Sequence, residues 1–458
     1  MIKYISTRGG GSPQNFEQVL LAGLAPDGGL YVPQIWPTLD MKALKGKSYV
    51  EVAEEVIYPF VEGSIDRETL RGILKETYGP KVFRHKDVVP LHKIRDNIYA
   101  LELFHGPTIA FKDVALQFLG RLFDHVLKKN NRHVTIVGAT SGDTGSAAIE
   151  GCRHSDNVDI FILYPQGRVS EVQRRQMTTV NAQNVHNIAV QGTFDDCQNA
   201  VKDMFNDAEF RTEMNLSAVN SINWARIVAQ IVYYVVVSLE LGEGTTFVVP
   251  TGNFGNVFAG YCARKMGAPI NLVVSTNRND ILTRFFESGT MKAEETHASL
   301  SPSMDIQISS NFERYLFDLL GRDAKNLTTV MKEFKDTGKF SLPEDAMKKA
   351  MADFTATRTD DAQTLATIKK IYEETGYVLD PHTAVGIKAA LEIAKTAKAP
   401  VVTLATAHPA KFPDAVEKAT GTRPALPPHL ADLLSRPEKF EILPNNLQKL
   451  QDFIRKNA

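Results

Sequence analysis

Beyond residue 130 the apolar positions of this chain come in short continuous runs separated by longer stretches at helical spacing. The runs 134–137, 158–163, 185–190, 246–249, 271–275 and 401–404 are apolar at most positions and rich in β-branched residues. That pattern predicts strands buried on both faces of a parallel sheet. Between the runs, apolar residues recur every three to four positions. The clearest case is 224–239, where Trp224, Ile227, Val228, Ile231, Val232, Val235 and Leu239 share one face. Strands alternating with helices predict α/β layers with parallel sheets, whose ligands sit beyond the carboxyl ends of the strands. The first 95 residues differ. Helical patterns over Tyr49–Val61 and 66–78 follow the Gly/Pro-rich loops STRGG (6–10) and APDGGLYVP (25–33), and predict a mainly helical domain closing near Val89-Pro90. The stretch 280–361 also breaks the alternation; with SPSMDI (301–306), NFERYLF (311–317) and charged helices it reads as an insertion covering the site. No internal repeat or low-complexity segment stands out. The expected division is an N-terminal domain at 1–95, a small α/β domain at 96–215 and a large α/β domain at 216–458.

A chain of 458 residues has room for about three units of ~150 residues. Hydrophobic residues at 43%, charged residues at 23% and a net charge of −1 are ordinary for a soluble protein, and give no electrostatic reason to expect nucleic acid or a membrane surface as partner. Cys152, Cys197 and Cys262 have no close spacing, which argues against a disulfide framework or zinc site and fits a reducing cytoplasm. The start, MIKYISTRGG, lacks the apolar region of a signal peptide, and the longest apolar run, 227–237, falls short of the ~18 residues of a membrane span. A cytoplasmic protein with no membrane partner and no metal is the expectation.

The candidate chemistry lies in loops beside predicted helix starts. FHGPTIAFKDV (104–114) places Lys112 between the His105-Gly106-Pro107 turn and a helix whose stripe runs through Val114, Phe118, Leu119, Leu122, Phe123, Val126 and Leu127. A helix N-terminus disfavours a second cation, so a lysine there loses its proton more readily, as an imine-forming amine must. The stretch alone also fits a solvated lysine beside Asp113. TSGDTGSAA (140–148) offers the hydroxyls of Ser141, Thr144 and Ser146, with Gly142 and Gly145 letting backbone N–H groups approach a carboxylate or phosphate; an N-cap turn is the other reading. PTGNFGNVFAG (250–260) repeats that design, with Gly252 and Gly255 flanking Asn253-Phe254. It has neither the Gly-Lys-Ser/Thr of a Walker loop nor dinucleotide spacing, which leaves an isolated phosphate monoester or a structural turn. In LATAHPAKFPDAV (404–416), Thr406 falls just past a strand end, where a hydroxyl can meet a ring nitrogen, and His408 is either a minor general-base candidate or structural. A reactive lysine, a phosphate cup, a carboxylate cup and a partner for a pyridine nitrogen together make the set that pyridoxal phosphate needs.

On these residues the chain resembles the threonine synthases, fold-type II pyridoxal-phosphate enzymes. STRG (6–9), APDGGLYVP, ELFHGPTIAFKD (102–113), SGDTG (141–145), NSINWARI (220–227), TGNFGN (251–256), SPSMDI, SNFER (310–314), LDPHTAVG (379–386) and TAHPAKF (406–412) match in order. The long N-terminal segment and HGPT…FKD resemble the bacterial and fungal branch, which implies no activation by S-adenosylmethionine. The resemblance implies two parallel-sheet α/β domains plus the N-terminal domain. It also implies roles. Lys112 forms the Schiff base, Gly252, Asn253, Phe254, Gly255 and Asn256 hold the cofactor phosphate, and Thr406 meets the pyridine nitrogen. Ser141, Gly142 and Thr144 hold the substrate carboxylate. Asp143, in the same loop, stands where relatives often carry Asn near the cofactor's 3′-oxygen, and its own contact is open. Phe111 packs near the ring or in the helix core. Arg226, Arg8 and Lys411, in that order, are candidates for the substrate phosphate, with a salt bridge as the alternative for each. The activity implied is β,γ-replacement on O-phospho-L-homoserine: Lys112 moves protons at Cα and Cβ, phosphate leaves from Cγ, water adds at Cβ and threonine is released. The alternatives are a serine/threonine dehydratase, an O-phosphohomoserine phospho-lyase, or a non-enzymatic ligand-binding protein of the same fold. A monomer or weak dimer is expected.

Overall fold

The computed structural model describes residues 1–458. Every run read as a strand is one, each reaching one or two residues further than its apolar core. Five strands form a parallel sheet in the order Glu441–Pro444, Val185–Gln191, Val158–Pro165, Val134–Ala139, Leu216–Ser217. Six form a larger one: Thr355–Arg358, Asn271–Thr276, Thr246–Pro250, Val401–Ala405, Ile98–Glu102, Leu91–Arg95. It is parallel except for the hairpin made by the last two.

These sheets do not follow the expected division at 95 and 215. Leu91–Arg95 and Ile98–Glu102 belong to the large sheet, while Leu216–Ser217 and Glu441–Pro444 belong to the small one. The terminal helix Leu447–Asn457 goes with Glu441–Pro444: its Leu450 and Ile454 pack with Phe161 and Ile188. Parallel strands pair through crossovers that can skip any length of chain, so an apolar run marks a strand without marking its sheet. The stretch 280–361 is likewise more than an insertion, because its Thr355–Arg358 is the edge strand of the large sheet.

The expected N-terminal helices form at Tyr49–Val61, which opens with a Ser48/Glu51 capping box, and Arg67–Thr77. They have no core of their own. Phe60 meets Trp224 at a ring distance of 5.8 Å, and their apolar faces run on into the helices Lys112–Lys129 and Trp224–Leu241. Trp224–Leu241 is long and apolar enough to cross a membrane, which the run 227–237 understated. Here it is the central helix of the core, with every residue from Trp224 to Val235 buried. A helix enclosed on all sides is apolar all round, so the single stripe at 224–239 was only part of its buried surface.

Candidate active site

Lys112 is the first residue of the helix Lys112–Lys129 and is buried. Its Nζ lies 3.4 Å from Asp143 Oδ2 and 5.1 Å from the centre of the Phe111 ring. The turn before it is tied down twice. Phe111 N–H donates to the Thr406 carbonyl at 2.8 Å, joining the lysine to the end of the strand Val401–Ala405. Asp113 accepts from Thr108 N–H at 2.8 Å and Thr108 Oγ1 at 2.7 Å. Lys112 is therefore not a solvated lysine, and Asp113 beside it is a buried brace whose carboxyl burial pushes up to about 7. Burial also lowers the pKa of Lys112, opposed by Asp143 and reinforced by Lys411 and Arg226.

The SGDTG loop opens the helix Asp143–Cys152. Thr140 Oγ1 accepts from the N–H groups of Gly142 and Gly145, both at 2.9 Å. The first bond toward the helix is Ser146 N–H to the Gly142 carbonyl at 3.1 Å. The N–H groups of Ser141, Asp143 and Thr144 make no bond within the protein and remain for an anion. Two expectations change here. Gly142 serves by its open backbone, at φ +136°, and not by its N–H; Ser146 turns its hydroxyl to the Gly142 and Asp143 carbonyls. Asp143 is the hub of the loop. Its Oδ1 accepts from Gln173 Nε2 at 2.8 Å and pairs with Lys411 Nζ at 3.0 Å, and its Oδ2 accepts from Ser303 Oγ at 3.1 Å. Burial would raise its pKa, but Lys411 and then Lys112 hold the carboxyl well below the usual range.

The GNFGN loop opens the helix Gly255–Lys265, with Phe254 as N-cap in the left-handed region at φ +62°. Its first bond is Phe258 N–H to the Phe254 carbonyl at 2.9 Å, so the N–H groups of Gly255, Asn256 and Val257 are unused. Asn256 Oδ1 is held by the hydroxyls of Tyr233 and Tyr234, and its Nδ2 is buried without a partner. The Phe254 ring packs among Phe312 and Phe354, which leaves its backbone alone for a ligand. A Cβ on Gly252 would stand 2.9 Å from the Ser303 carbonyl, and one on Gly255 would stand 3.2 Å from Asn311 Nδ2. These glycines thus admit the 301–311 segment over the loop; they do not clear a path to its N–H groups. That segment is held there by Ser309 Oγ donating to the Gly252 carbonyl at 2.7 Å and Asn311 N–H donating to the Asn253 carbonyl at 3.0 Å.

Arg226 lies in the first turn of Trp224–Leu241 and is buried. Its Nη1 donates to the Val219 carbonyl at 2.9 Å, its Nε has no partner, and no carboxylate pairs with it. Burial pulls it down to about 10. The salt bridge allowed for Arg226 is absent, and it lines one cavity with Lys112, Thr144, Asn253, Asn256 and Thr406. A buried guanidinium without an acid, an orphaned amide and unused helix N–H groups line one cavity, and each wants an anionic or accepting partner.

The other two phosphate candidates are otherwise engaged. Arg8 forms a two-pronged pair with Glu313, its Nε at 3.0 Å and its Nη2 at 2.8 Å, and does not line the cavity. Lys411 is fully buried, spending its ammonium on Asp143 and on the Thr108 carbonyl at 3.0 Å. His408 accepts from Ala410 N–H, packs edge-on to Phe104, and is lowered by burial to about 4, so its place is structural. Sequence reasoning missed Ser221, Gln230, Ser303 and His382, all cavity-lining. His382 Nδ1 is 3.0 Å from Asp380 Oδ1 while its Nε2 accepts from Ser303 N–H at 3.3 Å. The helix-start signal Asp380-Pro381 could have pointed to it.

Two largely parallel sheets enclosing a buried lysine and a helix start with unused N–H groups define a class. A family model described as pyridoxal-phosphate dependent enzyme matches residues 82–333, and the chain is an enzyme of that kind, of fold type II. Two further models, threonine synthase N terminus and threonine synthase, C-terminal, match residues 3–78 and 383–454. A threonine synthase of Pseudomonas aeruginosa is 55% identical over 461 residues, 99% of this chain and 98% of that one. One of Schizosaccharomyces pombe is 46% identical across 91% of this chain and 89% of its own. A pyridoxal-phosphate-bound threonine synthase from Brucella melitensis superposes with TM-score 0.97 at 51% identity over the whole of both chains. The chain belongs to the threonine synthase family. Maize serine racemase, 13% identical with TM-score 0.51 over 74% of this chain and 91% of its own, shares the fold alone.

Proposed function

We propose that this chain converts O-phospho-L-homoserine and water to L-threonine and phosphate, in the cytoplasm, as a monomer or weak dimer, with no nucleic-acid or membrane partner. The observation that carries the reading is Arg226, a buried cation without a carboxylate, lining the same cavity as Lys112. A phosphorylated amino acid brings the anion that Arg226 lacks.

Pyridoxal phosphate fits the donor set. The N–H groups of Gly255, Asn256 and Val257 would hold its phosphate with the rest of the 252–256 loop around it, Lys112 would take its aldehyde, Thr406 would face its ring nitrogen and Phe111 would lie beside its ring. When bound, it supplies an aldehyde for imine exchange and an electron sink for charge developing at Cα.

The chain's own residues bind, orient and move protons. Ser141 and Thr144 would hold the substrate carboxylate with their free N–H groups. Burial keeps Lys112 closer to the neutral amine, which can shuttle protons one at a time. They come off Cα, off Cβ once the first has been handed on, go onto Cγ after phosphate leaves, and return to Cα after water has added its hydroxyl at Cβ and given its proton to the departing phosphate. Arg226 holds the phosphate and offsets the charge that grows on it as it leaves Cγ. Asp143 keeps a counter-charge beside Lys112 throughout, anchored by Lys411, and Ser303 brings the 301–306 segment down onto Asp143 to limit water.

Purified holoenzyme given O-phospho-L-homoserine should release inorganic phosphate and threonine at equal rates. Phosphate appearing with 2-oxobutyrate would replace this reading with a phospho-lyase, and no turnover would remove it.

A further inference from the structure

A second cavity, of about 280 Å³, opens beside the lysine-bearing turn. Its chemistry comes from Thr108, Glu150, Arg153, Gln176, Asn181 and Arg436. Gln176 is 4% exposed; its Nε2 donates to the Thr108 carbonyl at 3.0 Å, and its Oε1 has no partner. A buried acceptor of that kind wants a donor. The Glu150 side chain is largely buried and its Oε2 has a single cation, Arg153 Nε at 3.1 Å. Arg436 brings a second guanidinium, steadied by Asp432 through Nε at 3.1 Å and by the His429 carbonyl through Nη2 at 3.0 Å.

We infer that this cavity is a binding site for a free α-amino acid, with its ammonium between Glu150 and Gln176 Oε1 and its carboxylate on Arg153 and Arg436. A simple anion would meet Glu150, and a simple cation would meet two guanidiniums; a zwitterion suits both. The volume lies just below the range for drug-sized sites, about 300–1,000 Å³, which suits an amino acid and is small for a nucleotide.

The site is wired to the active centre. The Thr108 carbonyl accepts from Gln176 Nε2 and from Lys411 Nζ, each at 3.0 Å. Lys411 pairs with Asp143, and Asp143 with Lys112. Gln173, one turn earlier on the helix that carries Gln176, donates to Asp143 as well. An ammonium bound at Gln176 Oε1 changes the hold on Thr108 and with it the pair that sets Lys112. The cavity is therefore an effector site, and occupancy there and at the active site are reciprocally linked.

Equilibrium dialysis of the holoenzyme with labelled L-threonine, and separately with the other common L-α-amino acids, tests this. At least one should bind, and its affinity should fall roughly tenfold or more in both Glu150→Gln and Arg153→Gln, the loss of one charge-assisted contact. Binding should persist in Lys112→Ala, which lacks the active-site amine. In the wild type the bound amino acid should change KM for the phosphorylated substrate, and in Glu150→Gln it should not. The inference is overturned if no amino acid binds, if both cavity variants bind as the wild type does, or if Lys112→Ala abolishes binding.

Discussion

Lys112 has one carboxylate within reach, and that carboxylate is shared with Lys411. Asp143 favours the charged form of Lys112, so Asp143→Asn should lower the lysine pKa further, by about one unit for a partner this near. The reactive amine would then appear at lower pH. The pH dependence of acylation of the apoenzyme, read by peptide mapping, measures it; an unmoved curve would mean that Asp143 answers to Lys411 alone. Borohydride reduction of the holoenzyme should label the peptide holding Lys112 and nothing in Lys112→Ala, whose far-UV dichroism should match the wild type because Asp143 keeps its second lysine. Arg226→Ala removes a cation that pairs with no acid, so it breaks no salt bridge and should not lower the melting temperature on that account. Loss of the phosphate contact proposed for it should cost about 1.5–3 kcal/mol, roughly ten- to a hundredfold in KM. Steady-state kinetics beside a melting curve separates the two, and a normal KM retires Arg226 as the phosphate ligand.

The element that closes the site is the 301–311 segment, and the glycines of the GNFGN loop are what let it come close. Gly252→Val would drive a side chain into the Ser303 carbonyl, which is backbone, whereas Gly255→Val meets the amide end of Asn311. The first should therefore weaken cofactor binding more than the second, and should speed hydrogen exchange through 301–311. Titration of apoenzyme with pyridoxal phosphate and exchange mass spectrometry are the measurements. Equal affinities and unchanged exchange would mean that the segment is held by other contacts. Gly252 and Gly255 were legible as special positions from composition, but not the reason for them: the segment they admit is some fifty residues away in sequence, and nothing local encodes its approach.

At the scale of the whole molecule, the chain begins its large sheet before completing the small one and returns to the small sheet at its end. The terminal helix is part of that return, with Leu450 fully buried against the small-sheet core. Leu450→Ala should cost about 2–5 kcal/mol and lower the melting temperature, though the residue is far along the chain from Lys112. A melting curve like the wild type's would show that the small sheet does not depend on this closure.

By itself the sequence carried the local physics: apolar runs that had to be buried strands, a helix over 224–239, and helices opening beside Lys112 and at the SGDTG and GNFGN loops. It also carried the family, because blocks such as TGNFGN and TAHPAKF stay contiguous. Tertiary structure alone decided which sheet each strand joins, since parallel pairing is indifferent to sequence distance. It decided equally which cations are free. Arg8, Arg226 and Lys411 are alike as residue types, yet Glu313 takes the first, Asp143 takes the third, and only Arg226 is left without an acid. Charge pairing depends on distance in space, and residues 143 and 411, or 8 and 313, become neighbours only when the two sheets and the N-terminal segment close on one another.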